Sequence, residues 1–504
     1  MGEPSGHLQS VDLLVVGGGI NGAGISRDAA GRGLSVLLVE QDDLASHTSS
    51  ASTKLIHGGL RYLEYGELRL VREALVERER LWGMAPHLIH PLSFVLPQMH
   101  SPRPVWMVRL GLFAYDHLGG RKHLPATRTV DLARSPLGTG LRPGAGKGFV
   151  YADCRVDDAR LVIANAQDAR ARGAQIRTRT RLVAAKRVGP LWRATVEADG
   201  VPRAIHARAL VNAAGPWVEA VLGLVPDARR DRGVRLVKGS HIVVPRLYPG
   251  DHAFLLQNSD KRVVFTIPYE GSFTLVGTTD QPWEGPPGPA AISAPETAYL
   301  CATVNAYFAR GIAPADVVWS YAGIRPLYDD HASSASAVTR DYVLDLDGDG
   351  DATSGRAPML SVFGGKITTY RRLAEQALDR LAPFFPAARP AWTAGATLPG
   401  GDTGDFPAFA AAMSQAYQAL PSGLVARLAA QHGTAIHAVL GNARTLADLG
   451  HDFGGGLTEA ELDYLRRQEW AATAEDVLWR RTKLGLHLPA SVAPAIDAWF
   501  AKAR

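Results

Sequence analysis

The sequence predicts an α/β and α+β fold: a discontinuous, mostly parallel-sheet domain, an antiparallel sheet inserted into it, and a helical domain at the C-terminus. Three observations carry this reading. A glycine-rich turn lies between two apolar runs near the start; strand-like runs fill residues 236–280; and a second strand, glycine turn and helix start recurs at 361–371, ahead of an Ala-rich, helix-forming tail.

The first element is the segment Leu13–Glu40, LLVVGGGINGAGISRDAAGRGLSVLLVE. Gly17, Gly19 and Gly22 form G-x-G-x-x-G directly after an apolar strand, and the helical stretch they open ends near Gly33. Glu40 follows at the end of the second strand, about 20 residues on. This is the context of a Rossmann-like dinucleotide site. The first glycine permits the tight turn, the second lets backbone approach the pyrophosphate, and the third permits close helix packing, while N–H groups at the helix start offset phosphate charge. Glu40 is expected to accept hydrogen bonds from the adenosine ribose.

Ser46–Tyr65 is rich in small hydroxyl residues and glycine and reads as a loop facing the cofactor; a charged helix, LRLVREALVERERLW, follows. Residues 175–188 and 191–197 alternate about a Gly-Pro turn, as a hairpin does, with Arg177, Arg179 and Arg181 on one face, the commoner use of which is solvation. Residues 209–217, ALVNAAGPW, form a buried strand ending in a small-residue turn, a second place for backbone to meet the cofactor. The expected domains are 1–95 with 150–225 and 325–390 (nucleotide), 96–149 with 226–324 (substrate), and 391–504 (helical), the last entered through a Gly/Pro/Thr/Ala linker at 390–407. Thr458 and Glu461 are spaced as a helix capping box.

With 504 residues, 46% hydrophobic and 20% charged, the chain can bury a large core and divide into roughly two to four domains. A net charge of +5 suits an anionic substrate or surface and gives no reason to expect nucleic acid. Cys154 and Cys301 are the only cysteines, so no disulfide framework or thiolate cluster is expected, and a reducing compartment fits. The N-terminus lacks a basic n-region, so no signal peptide is expected, and no apolar run reaches the ~20 residues of a membrane span. Asp345, Asp347 and Asp349 before Gly350 mimic a calcium loop, but Arg356 stands where the bidentate Glu is required. His47, His57, His87, His90, His100 and His241 show no paired ligand spacing. No metal is expected.

Ten stretches distributed over almost the whole chain then gain a common meaning: GGGINGAGI (17–25), TSSASTKLIHGGLRYLE (48–64), DDARLVIANA (157–166), LVNAAGPWV (210–218), VKGSHIVVP (237–245), GTTD (277–280), GIRPL (323–327), TRDY (339–342), SVFGGKITTYRRLAE (361–375) and DVLWRRTKLGL (476–486). Together they resemble the FAD-dependent, quinone-linked glycerol-3-phosphate dehydrogenases within the glycine/D-amino-acid-oxidase-like flavoproteins. The resemblance implies oxidation of sn-glycerol 3-phosphate to dihydroxyacetone phosphate with electrons passed to membrane quinone. It further implies a homodimer lying peripherally on an anionic membrane surface, at the inner face of the cytoplasmic membrane. The alternative with the same motifs is a glycerol-3-phosphate oxidase that uses oxygen and forms peroxide. More distant alternatives are an amine or amino-acid oxidase and a non-catalytic dinucleotide-binding platform.

FAD, held non-covalently since no linkage point is evident, is expected against Gly17, Gly18, Gly19, Ile20, Asn21, Gly22, Glu40, Gln41, Thr48, Ser49, Ser50, Lys54, Leu55, His57, Gly58, Gly59, Val183, Ala213, Gly215, Gly364, Gly365, Lys366, Ile367, Thr368 and Thr369. Loss of hydride from C2 requires its hydroxyl to lose a proton, so a base must stand within hydrogen-bond reach: His241 first, His57 second. Arg61 with Tyr62, and Arg340, are assigned to the substrate phosphate. Arg325 is assigned to the C2 oxygen, with structural pairing to Asp329 or Asp341 as the bland reading of these arginines. Lys366, at a predicted helix start, would stabilise the anionic reduced flavin. For the membrane, residues 103–124 are the candidate contact: Trp106, Leu110 and Phe113 recur at helical spacing with Arg103, Arg109, Arg121 and Lys122 beside them, although the same spacing fits an ordinary core helix.

Overall fold

The computed structural model describes residues 9–120, 123–260, 262–329, 341–348 and 355–502. Arg340, Arg121, Lys122, Asp349 and Gly350, named above, lie outside the described residues. The chain divides into two compact units, Met1–Ser50 with Ala159–Leu236 and Pro326–Arg504, and Ala51–Asp158 with Val237–Arg325.

In the first unit the strand Gln9–Val16 lies parallel between Val36–Val39 and Val201–Asn212. Gln175–Arg177 and Met359–Phe363 extend the parallel set at either side, and Val343–Asp347 closes one edge antiparallel. LLVV and VLLV are buried along their whole length, which is why they read as continuous apolar runs rather than alternating ones. The hairpin Thr180–Val188/Leu191–Ala198 is present and continues antiparallel onto Val201–Asn212. The arginine stripe expected along it does not form. Arg179 takes φ 51°, so the chain breaks between Gln175–Arg177 and Thr180–Val188; Arg177 then reaches Gln9, Arg179 reaches Asp476 and Arg181 reaches Glu197. Helices beyond residue 405 enclose their own core around Leu428, Ile436, Leu462 and Leu465, and Thr458 caps Glu459–Glu469 by accepting from the Glu461 N–H.

In the second unit the strands Val234–Pro245, Phe273–Gly277, Val263–Tyr269, Ala253–Gln257, Ile89–Pro97, Lys147–Val156 and Leu55–Ile56 follow one another across a sheet, with Trp319–Tyr328 paired to the first of them. Residues 51–95, expected in the nucleotide domain, belong here. Leu55–Ile56 and Ile89–Pro97 hydrogen-bond to Lys147–Val156, so the boundary falls after Ser50. The C-terminal helices, expected as a domain of their own, keep a separate core while falling within the first compact unit. The helix Val105–Leu118 buries Val108, Leu112 and Tyr115, whereas Trp106, Leu110 and Phe113 are 66, 61 and 60% exposed; the apolar stripe is therefore not core.

Candidate functional site

Three adjacent parallel strands of the first unit end at Val16, Asn212 and Phe363, and each runs into a small-residue turn: 17–19, 213–217 and 364–366. Turns at the carboxyl ends of neighbouring parallel strands are where such sheets bind ligands. Gly17 has φ +113°, and a Cβ there would stand 2.5 Å from the Ala213 carbonyl oxygen; a Cβ on Gly22 would stand 1.9 Å from the Gly17 oxygen. Gly19 caps the helix Ile20–Gly31 without a side-chain hydrogen bond, and the first turn carries no acidic residue, which leaves N–H groups and positive potential for an anion. Asn21 donates from Nδ2 to the Gly364 carbonyl, so the first and third turns are joined. The Ser49 hydroxyl accepts from the Ile20 N–H.

Glu40 is buried, and burial raises its pKa above the usual carboxylate value. Its oxygens accept from the Gly18 N–H at 2.6 Å and the Asp42 N–H at 2.9 Å, so it braces the glycine turn. The three turns, the anion-ready helix end and this carboxylate fit a dinucleotide such as FAD. Glu40, Asp42 and His47 also bring one ligand atom each within 4.8 Å of one another, a grouping the spacing in sequence does not reveal; His47 Nε2 lies 2.7 Å from Asp42. Lys366 lies in the glycine turn and not at a helix start, because the helix begins at Tyr370 behind Thr369. Gly364 and Gly365, at φ +80° and +111°, are what turn the chain there.

In the second unit His241 is buried in the strand Val234–Pro245. It packs over Gly277 of the neighbouring strand, where a Cβ would come within 2.1 Å of the imidazole. Its other face stacks on Tyr321, and Nε2 lies 3.0 Å from the Thr53 hydroxyl, while Nδ1 is buried with no hydrogen-bond partner among the described residues. Burial, then the cations Arg325 and Lys54, push its pKa well below the ordinary 6.5. The surroundings are themselves fixed by Asp158, which accepts from the Ser52 N–H and hydroxyl and pairs with Lys54 at 2.8 Å. The Lys54 ammonium lies 5.0 Å from the Tyr321 ring centre, and the Tyr321 hydroxyl donates to the Ser52 carbonyl.

Arg325 donates to the Thr279 carbonyl at 2.9 Å and pairs with Asp280 at 3.3 Å. Asp329 pairs with Arg235. Behind this turn Glu296 accepts from Ser240 and Thr279 hydroxyls and pairs with Lys238. Burial alone would raise its pKa, but Lys238, the Ser293 N–H and the Thr279 and Ser293 hydroxyls hold it down at about 2.

Arg61 and Tyr62 stand half-buried on the 3-10 turn Leu60–Tyr65, and Arg61 has no ion-pair partner among the described residues. His57 meets the edge of Phe265, whose cross-strand neighbour is Gly277 beneath His241. Of the residues expected at the cofactor, Lys54 is committed to Asp158, Leu55 is buried in a strand, and Gly58 is enforced by packing against Leu75. Val183 lies at the bulge of the hairpin, half-buried. Sequence reasoning missed Thr53, Asp158 and Tyr321. Each sits in or beside a segment that carried other signals, and nothing in their local sequence points to His241.

Residues 12–371 match the family model of FAD-dependent oxidoreductases, and 391–501 match the C-terminal domain of alpha-glycerophosphate oxidase. A glycerol-3-phosphate dehydrogenase of Pseudomonas aeruginosa is 54% identical over 97% of this chain and 94% of its own length. A D-erythritol 1-phosphate dehydrogenase of Brucella abortus is 52% identical over 99% of each. The solved glycerol-3-phosphate dehydrogenase of Bacillus halodurans, complexed with FAD, superimposes with a TM-score of 0.77 at 28% identity, covering 98% of this chain and 90% of that one. The glycine turns, the site chemistry and near-full-length identity agree: the chain belongs to the FAD-dependent oxidoreductase family, among the glycerol-3-phosphate dehydrogenases.

Proposed function

We propose that this FAD-dependent enzyme oxidises sn-glycerol 3-phosphate to dihydroxyacetone phosphate and delivers the electrons to a membrane quinone. The observation that carries the chemistry is the imidazole of His241 clamped between Gly277 and Tyr321 with Nε2 at the Thr53 hydroxyl, its pKa lowered by burial and then by the cations Arg325 and Lys54. Bound FAD would accept the hydride that leaves C2 with its electron pair. His241 takes the hydroxyl proton at Nε2, the nitrogen facing Thr53, as the C2–O bond becomes a carbonyl, and Arg325 donates to that oxygen. Arg61, with no acidic partner among the described residues, supplies a guanidinium for the phosphate, joined in this reading by Tyr62 and Arg340. Non-covalent FAD is supported by glycine turns that offer backbone N–H groups, with the buried Cys154 and Cys301 both outside them.

The identity to a D-erythritol 1-phosphate dehydrogenase supports a second reading, in which a longer polyol phosphate is the substrate of the same chemistry. Adding each phosphate to the flavoprotein under nitrogen tests both: rapid bleaching by glycerol 3-phosphate with the higher kcat/KM supports the first, and a reversed order supports the second. Stoichiometric peroxide under air, with no turnover on a quinone analogue, would make oxygen the acceptor.

A quinone acceptor requires the protein to reach lipid. Trp106, Leu110 and Phe113 support the helix Val105–Leu118 as the contact, and Tyr65 and Leu68 are exposed on the turn and helix packed against it. Arg109 is exposed and suits anionic headgroups, whereas Arg103 is held by Glu64 and Gln257. No helix among the described residues is long and apolar enough to cross a membrane. A homodimer on the inner face of the cytoplasmic membrane completes this reading; its mass in detergent tests the assembly.

A further inference from the structure

The C-terminal helices hold a buried carboxylate that belongs to the cofactor loop. Asp43, three residues after Glu40, receives both guanidinium arms of Arg481, one at 2.8 Å, and Nε of Arg480 at 2.7 Å. Arg481 is fully buried, Arg480 and Asp43 nearly so. The two arginines stand on a π-helical turn, Asp476–Arg481, and are themselves held: Arg480 also pairs with Asp476, which pairs with Arg179, and Arg481 donates to the Glu469 carbonyl. Residues 40–45 are also fastened to the glycine turn and to the chain entering the hairpin. Gly18 N–H donates to Glu40 and Ala45 N–H to the Gly18 carbonyl, while Thr180 and Arg179 N–H groups donate to the carbonyls of Glu40 and Asp42. The Asp43 side chain is turned onto the C-terminal helices.

We infer that Arg481 and Arg480 are positioning residues for the adenosine half of FAD: by fixing Asp43 they set the loop that presents Glu40 and braces the Gly18 turn. A bidentate arginine–carboxylate pair has fixed geometry, and removing one partner of a buried pair strands a charge, so the loop cannot shift without loss. The inference gives the C-terminal domain a part in cofactor binding, and it rests on Glu40 serving the ribose.

The test titrates deflavinated protein with FAD and, in competition, with ADP, for wild type, Asp43→Asn, Arg481→Met, Arg481→Lys and Glu40→Gln. Melting temperatures of the deflavinated proteins are recorded alongside. Asp43→Asn is expected to raise Kd for FAD and for ADP by the same factor, about tenfold or more, with Arg481→Lys milder than Arg481→Met. An unchanged FAD Kd in Asp43→Asn overturns the inference, as does a loss for FAD not shared by ADP. A loss that merely follows a fall in melting temperature also overturns it. Should Arg481→Met fail to fold, the isosteric Asp43→Asn decides. Unchanged affinities in Glu40→Gln would remove the ribose reading itself, whereas weakening there but not in Asp43→Asn would remove the clamp alone.

Discussion

The imidazole of His241 lies on the ring of Tyr321, centroids 4.8 Å apart and planes 15° from parallel, and the Tyr321 hydroxyl is tied to the Ser52 carbonyl at 2.8 Å. Thr53, the residue after Ser52, meets Nε2 of the same imidazole. The ring is thereby held from its face and its edge by one short stretch of chain, which suits a group that must receive a proton at a fixed place.

His241→Ala is expected to lower kcat by roughly 10²- to 10⁴-fold, the usual share of a positioned base, with flavin content unchanged. Near-normal kcat in a folded, yellow variant would pass the role to His57 or to solvent.

The pH profile should carry the mark of the surroundings. Since burial and the cations Arg325 and Lys54 depress the His241 pKa, the imidazole stays neutral on the acid side of its ordinary 6.5, and the acid limb of kcat/KM should lie below that value. Lys54→Met removes a cation and leaves Asp158 negative, two changes that both favour the protonated imidazole. The acid limb should therefore move to higher pH; an unmoved or lowered limb would contradict His241 as the titrating base.

Gly22→Ala should yield colourless protein. The added Cβ would stand 1.9 Å from the Gly17 carbonyl oxygen, a backbone atom that cannot yield without opening the turn. Absorbance near the flavin band relative to protein reads this directly, and a fully yellow variant would show that the turn can open at no loss.

Asp476 makes acid stability specific. Burial raises its pKa, but Arg481, Arg179, backbone N–H groups and Arg480 together bring it from 3.8 down to about 2. A depressed carboxylate contributes stability that is fully present above the unfolded pKa and is lost as pH falls through the folded one. The contribution, on the order of 2 kcal/mol, should therefore fade between about pH 4 and 2. Thermal unfolding of Asp476→Asn against wild type should show a gap at neutral pH that narrows over this window; a gap independent of pH would deny the ionic contribution.

Flotation with anionic liposomes should carry the wild type, and Trp106→Glu with Phe113→Glu should stay at the bottom of the gradient. Glutamates on an exposed helix face leave the buried Val108, Leu112 and Tyr115 untouched, so folding is expected to survive. Equal flotation of the folded double variant would exclude this helix as the contact.

The sequence by itself determined the glycine turns, the strand before each, Glu40 at the end of the second strand and the helix cap at Thr458, because these answer to local constraints: a positive φ, an unsatisfied helix end, a strand buried on both faces. It also singled out His241, Arg61 and Arg325 through the motifs around them. Only the tertiary structure decided which groups surround them. Thr53 and Tyr321 gather on His241, and Asp158 on Ser52 and Lys54 beside them, through packing that no spacing in the chain records, and Asp43 meets Arg481 across 438 positions. The exposed face of the helix Val105–Leu118 was equally undecidable in advance. An apolar stripe has the same period whether it faces a core or solvent, and only the packing of the opposite face on the rest of the unit settles which.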